Sequence, residues 1–161
     1  MADSWSDIFS AICERCGGRC CFEAHPPLTD ERVALLRDCM DLHDRVEFKG
    51  YARFTTGNDG YCIMLTHSRC SINGLKPETC MAGPFTFDVK DGIVEIYIKT
   101  PAICPLVTLL KEDPAAYQSQ FETAQRQILR LVRSLSAETL KQICSIDEPE
   151  TEKIAEMPLQ G

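Results

Sequence analysis

The scarcity of several residue types and patterns excludes whole classes of protein for this sequence. No apolar run approaches the roughly 18 residues of a membrane-spanning helix. Basic residues number 17 against 24 acidic ones, and the resulting charge of −7 argues against a nucleic-acid partner, because phosphate backbones are bound by basic surfaces. The N-terminus lacks the basic and apolar segments of a signal peptide. We therefore expect a cytoplasmic protein that binds neither membranes nor nucleic acids.

Motifs that bind nucleotides or cofactors are also lacking. No Gly-x-Gly-x-x-Gly follows a predicted strand, and no Walker loop is present. We recognise no loop for S-adenosylmethionine either. The sequence therefore assigns no catalytic residue.

Cysteine is the residue in excess, with ten in 161 residues. A chain of this length can bury a core without covalent staples, and disulfides rarely persist in a reducing cytosol. Cysteine-rich intracellular chains typically bind metals. We therefore predict metal binding rather than a disulfide framework.

Hydrophobic periodicity and turn residues predict an α+β fold, with helices packed around short antiparallel β-hairpins and a cysteine-rich metal site. Asp113 and Pro114 are typical of a helix start, and Ser136 caps a further short helix. The pattern predicts a short helix over residues 4–14, further helices over 30–42 and 113–135, and hairpins over 51–65 and 85–99. The length favours one domain over residues 1–146, followed by a flexible acidic tail over 147–161.

The first cysteine group reads Cys13-Glu-Arg-Cys16-Gly-Gly-Arg-Cys20-Cys21. A C-x2-C pair is a common half-site for zinc and for iron–sulfur clusters. The glycine pair breaks the preceding helix and turns the chain towards Cys20-Cys21. Because adjacent side chains diverge, these two thiols can serve two metals, or one cluster and a second role.

A second group consists of Cys62, Cys70, Cys80 and Cys104. Its spacings are too long for one loop, so the fold itself must bring these thiols to a site. Metal binding would then stabilise the tertiary structure.

The order and spacing of these motifs resemble the CxxCxxCC (YkgJ-type) family, whose domain is described as zinc- or iron-chelating. The matching features are the first group, Tyr61-Cys62, Cys70-x-Ile72-x3-Lys76-Pro77-x2-Cys80, Pro84-Phe85 and Cys104-Pro105. In the family the lysine of Lys76-Pro77 is usually an arginine. The resemblance implies eight metal-binding cysteines: Cys13, Cys16, Cys20, Cys21, Cys62, Cys70, Cys80 and Cys104.

All-thiolate sites suit both zinc and iron–sulfur clusters. A zinc ribbon usually has two C-x2-C knuckles, whereas this chain has one, so its irregular spacing favours a cluster. The resemblance extends to flagellin N-methylases and favours [4Fe–4S]. Four thiolates around [4Fe–4S]2+ leave a charge of −2, which we expect nearby arginines to help hold. The candidates are Arg15, Arg19, Arg53 and Arg69.

Three further residues need an interpretation. Cys39 and Cys144 lie outside the family pattern on apolar helix faces, where a free cysteine is usually a small buried hydrophobic residue. His67 lies between two of the cysteines and could be a ligand, but an ordinary loop histidine is the simpler interpretation.

Three functions are compatible with these observations. The first is an iron–sulfur protein with a redox or accessory role beside a protein partner of unknown identity. The second is a zinc-stabilised structural or interaction module. The third is a protein-modifying enzyme resembling flagellin N-methylase.

Overall fold

The computed structural model describes residues 5–22, 24–144 and 150–159, and within these ranges its architecture is α+β, as predicted. The described residues form six helices, three small antiparallel sheets and two 3₁₀ turns, Arg19–Cys21 and Asn73–Leu75. The elements are α1 Trp5–Cys16, α2 Asp30–Arg37, β1 Val46–Phe48, β2 Ala52–Phe54, β3 Leu65–Thr66, β4 Arg69–Cys70, α3 Glu78–Met81, β5 Phe85–Lys90, β6 Ile93–Lys99, α4 Leu106–Glu112, α5 Pro114–Ser134, α6 Ala137–Cys144 and β7 Thr151–Pro158.

The hairpin β5–β6 is confirmed, and it forms part of the largest sheet, whose strand order is β5-β6-β7. Strand pleating sends alternate side chains to opposite faces. On β6 this buries Val94, Ile96 and Ile98, which are at most 1% exposed. The opposite, polar face of β6 carries Tyr97 and Lys99, which lie beside the cysteines.

The prediction of a flexible tail is wrong for Thr151–Pro158, because this segment is the third strand of the sheet. It pairs antiparallel with β6 along its length. Ile154, Ala155 and Met157 pack against the main hydrophobic core, and Lys153 forms an ion pair with Glu95 of β6. Although this segment has many charged residues, its apolar residues pack against the core. Residues 147–149 and 160–161 of the predicted tail lie outside the described ranges.

Two hydrophobic cores hold the molecule together. The larger core joins the buried face of the β5-β6-β7 sheet to α4, α5 and α6, with Leu106, Ile128 and Leu131 fully buried. The smaller core gathers Leu36 of α2 and Phe54 of β2 with Leu28, Cys62, Met64 and Ile72. Cysteine is therefore part of the packing of both regions, since Cys104 contacts the larger core.

The predicted hairpin over 51–65 is only partly correct. The turn is present, since the Gly57 amide donates to the Tyr61 carbonyl at 2.9 Å. However, β2 pairs with β1, a strand that was not predicted, and β3 pairs with β4 in a separate hairpin. Strands of two or three residues are too short for a period-two pattern to reveal them.

Helix starts follow their capping residues. The side chain of Asp113 accepts from the Ala116 amide at 3.1 Å, and Ser136 accepts from Thr139 at 3.1 Å, as expected for N-caps. Helix α2 ends at Arg37, earlier than predicted, and α4 was not predicted.

Among the described helices, none combines the length and apolar character that crossing a bilayer requires.

Candidate metal centre

The eight cysteines implied by the family resemblance all line one cavity of about 1070 Å³. They come from α1, the 3₁₀ turn that follows it, the segments around the β3–β4 hairpin, α3, and the turn before α4. Their sequence positions span most of the chain, so tertiary packing assembles this group. In the cavity wall are Cys13, Cys16, Cys20, Cys21, Cys62, Cys70, Cys80 and Cys104.

The end of α1 determines where the first four thiols lie. Cys13 and Cys16 are three residues apart and share a helix face. Gly17 and Gly18 then adopt φ values of 77° and 76°, a left-handed conformation that most side chains disfavour. A Cβ atom on Gly18 would lie 3.0 Å from Leu65. These glycines end the helix and allow the chain to turn back with Cys20 and Cys21 against β3.

The β3–β4 hairpin places Cys62 and Cys70 beside this turn. The Cys62 amide donates to the Cys21 carbonyl at 2.8 Å, which ties the two segments together. Cys70 stands opposite Leu65 in the hairpin register. His67 lies in the tight turn between the strands with φ of 50° and is exposed, as expected for a loop histidine.

Buried polar contacts hold the segment that carries Cys80. The amide nitrogen of Gln120 on α5 donates to the carbonyls of Met81 and Gly83 at 3.0 and 2.7 Å. Glu78, 1% exposed, pairs with Arg32 of α2 at 3.2 Å. The short helix α3 is therefore held from both sides.

Burial makes several of these thiols difficult to ionise. It raises the pKa of Cys13 to about 11 and that of Cys80 to about 12, and repulsion from Cys20 adds to both shifts. Burial likewise raises the pKa values of Cys62 and Cys104. Cys80 nevertheless has accessible surface, because it faces the cavity. Several neighbouring thiolates therefore carry a cost that a bound cation would relieve.

The adjacent pair Cys20-Cys21 behaves differently from the other thiols. A hydrogen bond between the two side chains lowers the pKa of Cys20 and raises that of Cys21, so Cys20 is the partner that holds the negative charge. Lys99 and Lys76 lower the pKa of Cys20 further. Within this pair, Cys20 is therefore the thiol more ready to bind a metal ion.

Two lysines that were not predicted act on the thiols, beside the predicted Arg19 and Arg69 of the cavity lining. Lys76 lowers the pKa values of Cys13 and Cys80, and Lys99 lowers that of Cys104. Among the described residues of the cavity lining, the charged side chains other than the thiols are four cations, Arg19, Arg69, Lys76 and Lys99, and one carboxylate, Asp88. An acidic protein thus places positive charge where thiolates gather.

Most of the candidate arginines are either paired with a carboxylate or exposed to solvent. Arg53 pairs with Glu47 at 3.0 Å, and Arg69 with Glu14 at 3.0 Å. Arg15 is exposed. Lys99 was not predicted as a site residue. It ends strand β6, whose alternation indicates a buried apolar face, and the same alternation places Lys99 on the opposite, polar face.

Cys39, Cys144 and His25 differ in burial and in whether they line the cavity. Cys39 is exposed, so its predicted burial is wrong: α2 ends at Arg37, and Cys39 falls in the turn beyond it. Cys144 is half-buried against the larger core, and it also lines the cavity. His25 lines the cavity too, and its Nδ1 is buried without a hydrogen-bond partner among the described residues. No sequence motif marked His25.

The chemistry of this donor set fits a thiolate-bound zinc or iron–sulfur centre. Both groups take cysteine sulfur ligands, and four thiolates around either Zn2+ or [4Fe–4S]2+ leave a charge of −2, which the cationic lining complements. Over the described ranges, no three Cys, His, Asp or Glu side chains converge with the geometry of a single-ion site. The eight cysteines are the residues available to hold the group.

Comparison with known proteins agrees with this chemistry. A family model described as "Putative zinc- or iron-chelating domain" matches residues 12–108, which is more than half of the chain and includes all eight cysteines. No curated protein and no solved structure gives a significant match. The chain belongs to the CxxCxxCC family.

Proposed function

We propose that this protein holds a [4Fe–4S] cluster through cysteines of the cavity, and that it serves a redox or accessory role beside a protein partner. The observation that carries the proposal is the gathering of eight thiols and four cationic side chains around one cavity. When bound, a cluster supplies electron storage or structural cross-linking. A partner is included because no recognisable catalytic motif accompanies the thiols.

The spread of the thiols supports a cluster over a single zinc ion. Zinc takes its sulfur ligands at about 2.3 Å, and among the described residues no three Cys, His, Asp or Glu side chains converge to hold one ion. The cavity that the eight thiols line has room for a polynuclear inorganic core. The enzyme alternative remains a prediction.

Anaerobic purification followed by iron, sulfide and zinc analysis tests the proposal directly. We expect a brown protein that contains iron and sulfide and shows the visible charge-transfer absorbance of a cluster. A colourless protein with stoichiometric zinc and neither iron nor sulfide would support the zinc-stabilised module and contradict the cluster.

Replacing Lys76 and Lys99 together by methionine is expected to weaken metal binding about 10- to 100-fold, the usual range for losing groups that support metal ligands. Both lysines line the cavity and favour the thiolate forms of its cysteines. Competition with a chelator measures the affinity. Lys111→Met, on the exposed side of α4, is the matched control and should leave the affinity unchanged. Equal affinities in all three proteins would contradict the charge-balancing role of the two cavity lysines.

A further inference from the structure

A buried glutamine of the longest helix holds the turn that follows Cys80. Gln120 is 6% exposed, and its side-chain amide nitrogen donates to the carbonyls of Met81 and Gly83 at 3.0 and 2.7 Å. Both partners are acceptors, so the NH2 group of the amide faces them. The two carbonyls lie one and three residues after Cys80, at the end of α3.

These carbonyls are ones that a helix cannot satisfy by itself. The carbonyls at the start of α3, those of Pro77 and Glu78, accept from amides four residues further along the chain at 3.0 Å. The last carbonyls of a helix have no such partner and need a side chain or water in its place. Gln120 supplies this partner, and it does so from a different part of the chain.

The position of Gln120 on α5 is otherwise an apolar one. The buried residues of this helix are spaced as one face, and Gln120 is the polar member among the apolar residues Ala124, Ile128, Leu131 and Val132. Burying an amide costs free energy unless its hydrogen bonds are made. The two carbonyls after Cys80 therefore account for a polar residue at this position.

A second buried contact holds the start of α3. Glu78 pairs with Arg32 of α2 at 3.2 Å, and both side chains are at most 5% exposed. Cys80 lies between this contact and that of Gln120, and it lines the cavity. A helix of four residues is not stable alone, so contacts with α2 and α5 fix the place of the Cys80 thiol.

We propose that Gln120 is a positioning residue of the metal centre, which holds the end of α3 so that the Cys80 thiol lies where it can bind the metal. This inference rests on the proposed function for the presence of a metal and for Cys80 as one of its ligands. It depends neither on the number of cysteines that bind nor on the choice between zinc and a cluster. Gln120 lies outside residues 12–108, so the family match does not indicate it.

Gln120→Met tests the inference in the full-length protein, because methionine has a similar length and cannot donate a hydrogen bond. We expect the metal affinity, measured by competition with a chelator under anaerobic conditions, to fall about 10- to 100-fold, the usual range for groups that orient metal ligands. We also expect faster amide hydrogen exchange over residues 78–83 of the metal-free protein, because the end of α3 loses its partner.

Two matched controls lie on the same helix. Gln118→Met changes an exposed glutamine and should leave both the metal affinity and the exchange over residues 78–83 unchanged. Ile128→Val removes a methyl group from the buried face of α5. We expect it to lower the stability of the fold and to leave the metal affinity of the folded protein unchanged.

The outcomes separate the inference from the proposed function. Unchanged metal affinity in Gln120→Met, with or without faster exchange, would overturn this inference alone. An equal loss of affinity in Ile128→Val would show that general stability explains the effect, and would overturn it as well. Wild-type protein that binds no metal would overturn both proposals. If Gln120→Met fails to fold, Gln120→Asn replaces it, because its amide is one methylene too short to hold the same two carbonyls.

Discussion

Arg32→Met is expected to lower the free energy of unfolding by about 3–5 kcal/mol, because it leaves a buried carboxylate without its partner. The side chains of Arg32 and Glu78 are only 5% and 2% exposed, and they meet at 3.2 Å. The other carboxylate oxygen, Glu78 Oε2, has no hydrogen-bond partner among the described residues. Equilibrium denaturation in urea at equal metal loading measures the loss.

Two further variants distinguish the ion pair from general packing. The double variant Arg32→Met with Glu78→Met removes both charges, and we expect it to recover most of the lost stability. Arg130→Met breaks an exposed pair with Glu31 and should cost about 0–1 kcal/mol. A double variant as unstable as Arg32→Met would show that packing, rather than charge, explains the effect.

Removing the metal is expected to destabilise the whole fold, since the cavity thiols come from elements on both hydrophobic cores. Metal that binds only the folded chain stabilises it by about 4 kcal/mol at a free concentration 1,000 times the dissociation constant. For a chain of this size, that corresponds to a fall in Tm of roughly 8–16 °C. Thermal unfolding with and without a chelator, under anaerobic conditions, measures the difference.

A variant that lacks one cysteine from each of the two cysteine groups of the sequence serves as the control for metal removal. Cys13→Ser combined with Cys62→Ser should unfold at the same temperature with and without chelator, because it has lost two of the cavity thiols that hold the metal. An unchanged Tm in the wild-type protein after complete metal removal would contradict a stabilising role for the metal.

Local sequence signals predicted the elements whose stability is local. The caps at Asp113 and Ser136 and the alternation along β6 correctly located α5, α6 and the β5–β6 hairpin. The turn at Gly57 was also correct. Each of these features depends on contacts between residues close in sequence, which composition and spacing reveal.

Elements whose stability depends on distant partners were not predictable in the same way. Strand β7 forms because it pairs with the free edge of β6 and packs its apolar residues against the larger core. The local sequence of a charged terminal segment reveals neither contact. Strands β1, β3 and β4 are too short to show a period. For these segments, tertiary pairing decides between strand and loop.

The sequence by itself determined the chemistry of this protein: ten cysteines, one C-x2-C pair and the spacing of the CxxCxxCC family specify a thiolate-rich metal site. Only the tertiary structure decided that all eight cysteines line one cavity, that Lys76 and Lys99 lie beside Arg19 and Arg69 in its lining, and that Cys144 and His25 also face it. The physical reason is distance. Ligand type follows from residue identity, whereas the contact between α1 and the turn before α4 exists only after both cores have packed.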